Sequence, residues 1–92
     1  MAPSTLILPA RCDRQAAGDL LPQLLEAVAA GDVVIDGSAV VQFGQSMLQL
    51  LLSARKMSSR LQTALTISAS DAMGATLAMI GAEYLLDNGI VR

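Results

Sequence analysis

The fold is decided by one stretch, Val33 to Lys56, which reads VVIDGSAVVQFGQSMLQLLLSARK. It begins with a continuous apolar run that ends at Asp36, as is typical of an interior strand covered on both faces. A loop over Ser38–Gly44 follows, and then apolar residues at helical spacing from about Ser46 to Arg60. The stretch therefore predicts a strand–loop–helix unit in which the helix opens on a serine.

Working outward from this unit, the N-terminal side predicts a strand over Thr5–Pro9 and a helix over about Leu20–Ala30. Both Asp13 and Asp19 are candidate N-caps for that helix. We place Pro22 in the first turn, because proline deep inside a helix costs about 3 kcal/mol.

The C-terminal side predicts a strand over Ala64–Ser68 and a helix over Asp71–Ile80, capped by Ser70 or Ser68 and stopped by Gly81. The remaining residues predict one helical turn or a frayed tail. The order β-α-β-α-β-α predicts one α/β domain over residues 1–92, with a small mixed or parallel sheet and helices packed against it.

Composition sets the compartment that we expect. The 92 residues are 53% hydrophobic but only 2% aromatic, so the core must be aliphatic and methionine-rich, with Phe43 and Tyr84 as its only rings. Residues 37–54 carry no charge, but their glutamines and serines indicate core rather than a membrane span. No basic region precedes an apolar stretch, so we expect no signal peptide. Because Cys12 is the only cysteine, a cytoplasmic location is the expectation.

The same composition excludes several classes of function. A net charge of −2 with scattered signs argues against a nucleic-acid partner. The chain contains no histidine, and Leu48 occupies the position where a Gly-x-Ser-x-Gly elbow around Ser46 needs its second glycine. Neither a phosphate-binding glycine loop nor a carboxylate pair at metal spacing is present. We therefore expect no enzyme activity, no metal and no cofactor.

The faces of the helix that opens on Ser46 suggest a surface for a protein partner. Ser46 and Gln49 fit a capping box. At about 100° per residue, Leu48 and Leu52 fall on the polar side, away from the core. Two leucines rimmed by polar groups are typical either of a protein-binding patch or of simple surface scatter. The predicted core side comprises Met47, Leu50, Leu51, Ala54, Met57 and Leu61.

The last helix gives a weaker pattern of the same kind. Its apolar residues Met73, Leu77 and Ile80 are predicted to face inward, and its small residues Ala72 and Ala75 outward together with Met79. Small residues and one methionine would allow close approach of a partner, and they suit a plain surface equally well.

From about Leu6 to Leu86 the chain resembles the STAS domain, the family of anti-anti-sigma factors and related small regulators. The most specific part of this resemblance is the spacing between Asp36-Gly37-Ser38 and Ser46. Ser46 falls at the position of the Ser or Thr that is phosphorylated in many members of the family. Gly44 replaces the usual acidic residue, Gln45 the first serine and Met47 the glycine of the family motif. Short versions of this kind resemble STAS proteins of chemotaxis systems and of lipid-transport ABC complexes.

The resemblance implies an anti-sigma factor antagonist-like protein of bacterial signal transduction. Ser46 is the candidate phosphoacceptor, and its phosphorylation would disrupt docking on a partner such as a kinase-type anti-sigma factor. An alternative is a constitutive accessory subunit of a chemotaxis or lipid-transport complex, in which Ser46 only caps its helix. A weak homodimer is compatible with either. The expected partner-binding residues are Asp36, Ser38, Gly44, Gln45, Leu48, Gln49, Leu52 and Lys56.

Overall fold

The computed structural model describes residues 4–82. Of the predicted tail, residues 82–92, all but Ala82 lie outside this range, and so does Tyr84. The α/β class and the alternation of strands with helices are as predicted. The elements are β1 (Ser4–Ile7), β2 (Arg11–Cys12), α1 (Arg14–Ala30), β3 (Val33–Gly37), β4 (Gln42–Phe43), α2 (Gln45–Arg60), β5 (Leu65–Ala69) and α3 (Asp71–Met79).

The central sheet is parallel and has the order β1-β3-β5. Leu6, Ile35 and Ile67 lie side by side in its register. Because crossovers between parallel neighbours are right-handed, α1 and α2 lie on the same face of the sheet, where they pack against each other. The prediction that β3 is covered on both faces is wrong for the described residues, since Val34 and Asp36 on the second face are only half-buried.

The start of α1 corrects the prediction of a helix beginning near Leu20. The helix begins at Arg14, because the Asp13 side chain accepts a hydrogen bond from the Ala16 N–H at 2.9 Å. Ala17 is buried in the additional turns. Pro22 therefore lies in the helix interior, and burial of the apolar face offsets the unfavourable proline. The helix ends at Ala30, as predicted, with Gly31 as its C-cap.

The faces of α2 differ in part from the prediction. Met47, Leu51 and Ala54 are buried as expected, whereas Leu61 is 48% exposed at the helix end. Leu50 and Met57 are half-buried where α2 meets α1.

The turn after α2 contains a buried polar group. The hydroxyl of Ser58 donates to the Thr63 carbonyl at 2.7 Å, and Ser58 is buried. Gln62, between them, adopts a left-handed φ of 59°. This bond satisfies a polar side chain that would otherwise be costly to bury.

Helix α3 starts as predicted at the Ser70 cap, whose hydroxyl accepts from the Met73 N–H at 3.1 Å. Met73 and Leu77 are buried, as predicted. Ile80 is 51% exposed, so its predicted inward orientation is wrong. It lies just beyond the last helical residue, where helical periodicity no longer fixes its direction.

Two strands of two residues each were not predicted. β2 pairs in parallel with β4, with Arg11 beside Gln42 and Cys12 beside Phe43. This second sheet ties the segment after β1 to the loop after β3. It therefore fixes the loop from which α2 starts.

The core is aliphatic and methionine-rich, as the composition predicts, and Phe43 is only half-buried at its edge. Its largest fully buried side chains are those of Leu8, Leu24, Ile35, Met47, Leu51, Leu65, Met73 and Leu77.

Candidate functional site: an apolar cleft where α2 begins

A cleft of about 360 Å³ opens where the loop after β3 meets the first turn of α2 and the end of α3. We call it the loop cleft. Three of its residues, Gly44, Gln45 and Leu48, belong to the partner-binding set predicted from the sequence. Its lining residues are Phe43, Gly44, Gln45, Leu48, Thr76 and Ile80.

The loop that forms one wall is held by hydrogen bonds on both sides, from its backbone N–H groups on one and to a backbone carbonyl on the other. The Val41 and Gln42 N–H groups both donate to the Ala10 carbonyl, at 2.7 and 3.0 Å. On the other side, the Ser70 hydroxyl donates to the Val40 carbonyl at 2.6 Å. The cleft wall is therefore held in place by the segments on either side of it.

Gly44 is the N-cap of α2 and its close contacts explain the glycine. Its N–H donates to the Cys12 carbonyl at 2.9 Å, and its carbonyl accepts from the Leu48 N–H at 3.2 Å. A Cβ added here would lie 3.0 Å from the same Cys12 oxygen. A larger residue would push the loop away from β2.

The predicted capping box at Ser46 is wrong. Gly44 is the N-cap, Ser46 lies in the first turn, and no side chain caps the helix. The reason is tertiary, because the pairing of β2 with β4 draws the chain into the helix two residues earlier than the local pattern indicates. Ser46 is half-buried, and its hydroxyl makes no hydrogen bond to any residue between 4 and 82.

Asp36 and Ser38 lie together, but they do not line the loop cleft. The Asp36 carboxylate accepts from the Ser38 N–H at 3.0 Å and from its hydroxyl at 2.7 Å. These two hydrogen bonds lower the pKa of Asp36. The Asp36 carboxylate therefore braces the start of the loop that leads to β4.

The remaining predicted residues are spread around α2. Leu48 and Leu52 are half-buried and pack against the core, so the prediction that neither has a core to enter is wrong. Gln49 is exposed. Lys56 is exposed too, but it lies in a different groove, between α1 and α2. The loop cleft brings together Gly44, Gln45 and Leu48 of the predicted set.

Phe43, Thr76 and Ile80 are cleft residues that the sequence did not predict as site residues. Phe43 directly precedes Gly44 and is the only phenylalanine in the chain, a usable signal because interfaces are enriched in aromatic residues. Thr76 and Ile80 come from α3, which carries no local signal for a shared cavity with α2.

The chemistry of the loop cleft is apolar contact with a few polar groups. Among residues 4–82, the side chains that line it include no ionisable group. The Thr76 hydroxyl donates to the Ala72 carbonyl of its own helix at 3.1 Å. An apolar cavity of this type suits a hydrophobic side chain of a partner, with Gln45 at its rim.

Other reactive groups lie apart from the cleft. Burial, and secondarily the neighbouring Asp13 carboxylate, raises the pKa of the Cys12 thiol. Across residues 4–82, no group of three or more His, Cys, Asp or Glu residues is placed to hold a metal ion. Helices in the same range are all too short or too polar to cross a bilayer.

Comparisons of the chain with protein-family models, with curated proteins and with solved structures give no match.

Proposed function

We propose that the chain is a STAS-type regulatory protein, non-enzymatic and similar to anti-sigma factor antagonists, that docks on a protein partner in the bacterial cytoplasm through the loop cleft. The observation that carries the proposal is the convergence of Gly44, Gln45 and Leu48 on one apolar cavity. The sequence predicts all three as partner-binding residues. The parallel β1-β3-β5 sheet, with a helix between successive strands of the sheet and α3 after the last, supports the α/β class that this proposal requires.

Phosphorylation of Ser46 is the proposed switch. The hydroxyl is not occupied by a capping bond, and the first turn of α2 contains no acidic residue that would repel a phosphate. The N-terminal N–H groups of a helix accommodate an anion. A phosphate adds close to two negative charges beside Gln45, and desolvating them at an apolar interface would weaken docking.

The first test identifies the partner through a photo-crosslinking residue at position 45. The matched control places the same residue at Gln23, another exposed glutamine, which lies on α1 outside the loop cleft. We expect one protein to be captured from position 45 and not from position 23. Capture from position 23 alone would refute docking at the loop cleft.

The second test separates a switch from a constitutive subunit. With the captured partner purified, we expect Ser46→Ala to bind as wild type and Ser46→Asp to bind at least about tenfold more weakly, a difference of about 1.4 kcal/mol. Equal affinities, with no labelling of Ser46 by a partner kinase, would favour the constitutive accessory subunit.

A further inference from the structure

A second apolar groove, of about 330 Å³, lies between α1 and α2. We call it the helix groove. Leu21 and Leu25 of α1 are 42% and 46% exposed along it. Leu50 and Met57 of α2 are half-buried opposite them, and Lys56 and Arg60 provide its cationic side. Within the part of the chain that the structure describes, no acidic residue lines this groove.

The two helices that form this groove carry opposite charges. From Gln15 onward α1 contains Asp19 and Glu26 and no cation. The charged residues of α2 are all cations, and two of them, Lys56 and Arg60, are exposed. Glu26 follows Leu25 directly and therefore lies about 100° further round the helix. It is exposed, so it points to the solvent beside the groove. The outer face of the helix layer is therefore acidic along α1 and basic along α2.

We propose that this face binds a second copy of the chain. α1 and α2 connect neighbouring parallel strands and therefore run in the same direction. A two-fold axis parallel to the helices would place α1 of one protomer over α2 of its partner. Leu21 and Leu25 would then enter the helix groove of the partner, and Glu26 would face Lys56 and Arg60 across the interface.

Charge selects this arrangement over the other symmetric one. A two-fold axis perpendicular to the helices would place α1 against α1, with Glu26 facing Glu26, and α2 against α2, with Lys56 facing cations. Like charges across an interface are unfavourable and act against such a pairing. The parallel axis makes both contacts attractive, and an isologous interface repeats each contact twice.

The size of the face indicates a weak, reversible dimer. Helices of this length are about 25 Å long and pack about 8–10 Å apart, so the pair offers a face of about 25 by 20 Å. Specific interfaces commonly bury about 800 Å² on each partner, and weaker ones bury less. We therefore expect association that depends on concentration in the micromolar to millimolar range.

Charge reversal tests the proposal through heterodimer formation. Sedimentation equilibrium should show dimers for wild type. Glu26→Lys alone and Lys56→Glu/Arg60→Glu alone should be mainly monomeric, with a self-association affinity at least about tenfold weaker than that of wild type. An equimolar mixture of the two variants can form a heterodimer with two α1–α2 contacts. One contact keeps the wild-type charges and the other has the charges on both helices reversed, so both contacts are attractive. We therefore expect the mixture to form a heterodimer with near wild-type affinity.

Asp71→Lys, on α3 outside the helix layer, makes the same change in net charge as Glu26→Lys and should leave the dimer intact. Recovery in the mixture shows that both variants are folded, and far-UV circular dichroism of each variant checks this directly. A wild-type chain that stays monomeric at millimolar concentration would overturn the proposal. Dimers that persist in both single variants, or folded variants that fail to associate in the mixture, would overturn it as well.

Discussion

Replacing Gly37 with alanine should strongly destabilise the domain. Gly37 ends β3 and is buried where β3, β5 and α3 meet. A Cβ at this position would lie 2.6 Å from the Met73 sulfur and 2.8 Å from the Ser68 carbonyl oxygen. Real Cβ atoms essentially never approach other heavy atoms so closely.

The magnitude follows from which atoms must move. The Met73 side chain can turn, but it is fully buried and has little free space. The Ser68 oxygen belongs to the backbone of β5, so the strand itself must shift. Overpacking commonly costs 1–3 kcal/mol, and a backbone contact places this case at about 2–3 kcal/mol. In a domain of this size that loss lowers the melting temperature by about 8–24 °C.

Chemical denaturation and thermal unfolding of matched alanine variants provide the assay. Gly18 and Gly74 lie inside α1 and α3, and a Cβ at either would meet nothing within 4 Å. We expect Gly18→Ala and Gly74→Ala each to stabilise the domain by about 0.5–1 kcal/mol, since alanine is the better helix former. A Gly37→Ala variant within about 0.5 kcal/mol of wild type would refute the close packing of β3 against β5 and α3.

Three further predictions concern local features. Pro22→Ala should raise the unfolding free energy by about 2 kcal/mol in urea, because proline in a helix interior costs about 3 kcal/mol and part of this is offset in the unfolded chain. Gln62→Gly should stabilise by about 1 kcal/mol, since φ at this position is 59°; no gain in a melting experiment would contradict the left-handed turn. Hydrogen bonds from Ser38 lower the pKa of Asp36 below 3.8 in the folded protein. The ionised Asp36 carboxylate should therefore stabilise the folded state above about pH 4, and this stabilisation should be lost as the pH falls through the lowered pKa. When the unfolding free energy is measured as a function of pH, Asp36→Asn should lack this loss of stability in acid. A pH profile identical to that of wild type would contradict the role of the Asp36–Ser38 hydrogen bonds.

Much of the fold could be predicted from the sequence because its signals are local. The apolar run of β3 and the periodic leucines of α2 mark one strand and one helix without reference to the rest of the chain. Ser70 caps α3 for an equally local reason, with its own hydroxyl accepting from the Met73 N–H. Such elements follow from residue spacing and hydrogen bonds within a few positions.

The predictions that the structure corrects concern features that depend on contacts between segments far apart in the sequence. β2 and β4 have two residues each, too few to show a period, yet their pairing moves the cap of α2 from Ser46 to Gly44. Leu48 and Leu52 appear exposed on a helical wheel, but the core extends far enough round α2 to cover them in part. The loop cleft combines a loop with two helices, so its α3 side, Thr76 and Ile80, could not be predicted from the pattern around Ser46.

Docking at the loop cleft is tested most directly by titrating the partner captured at position 45 against two lysine variants. Ile80 lines the cleft, whereas the adjacent Met79 is 80% exposed and does not line it. In isothermal titration calorimetry we expect Ile80→Lys to weaken binding at least about tenfold, or about 1.4 kcal/mol, and Met79→Lys to leave it within about twofold. Equal affinities for Ile80→Lys and wild type would contradict docking at the loop cleft.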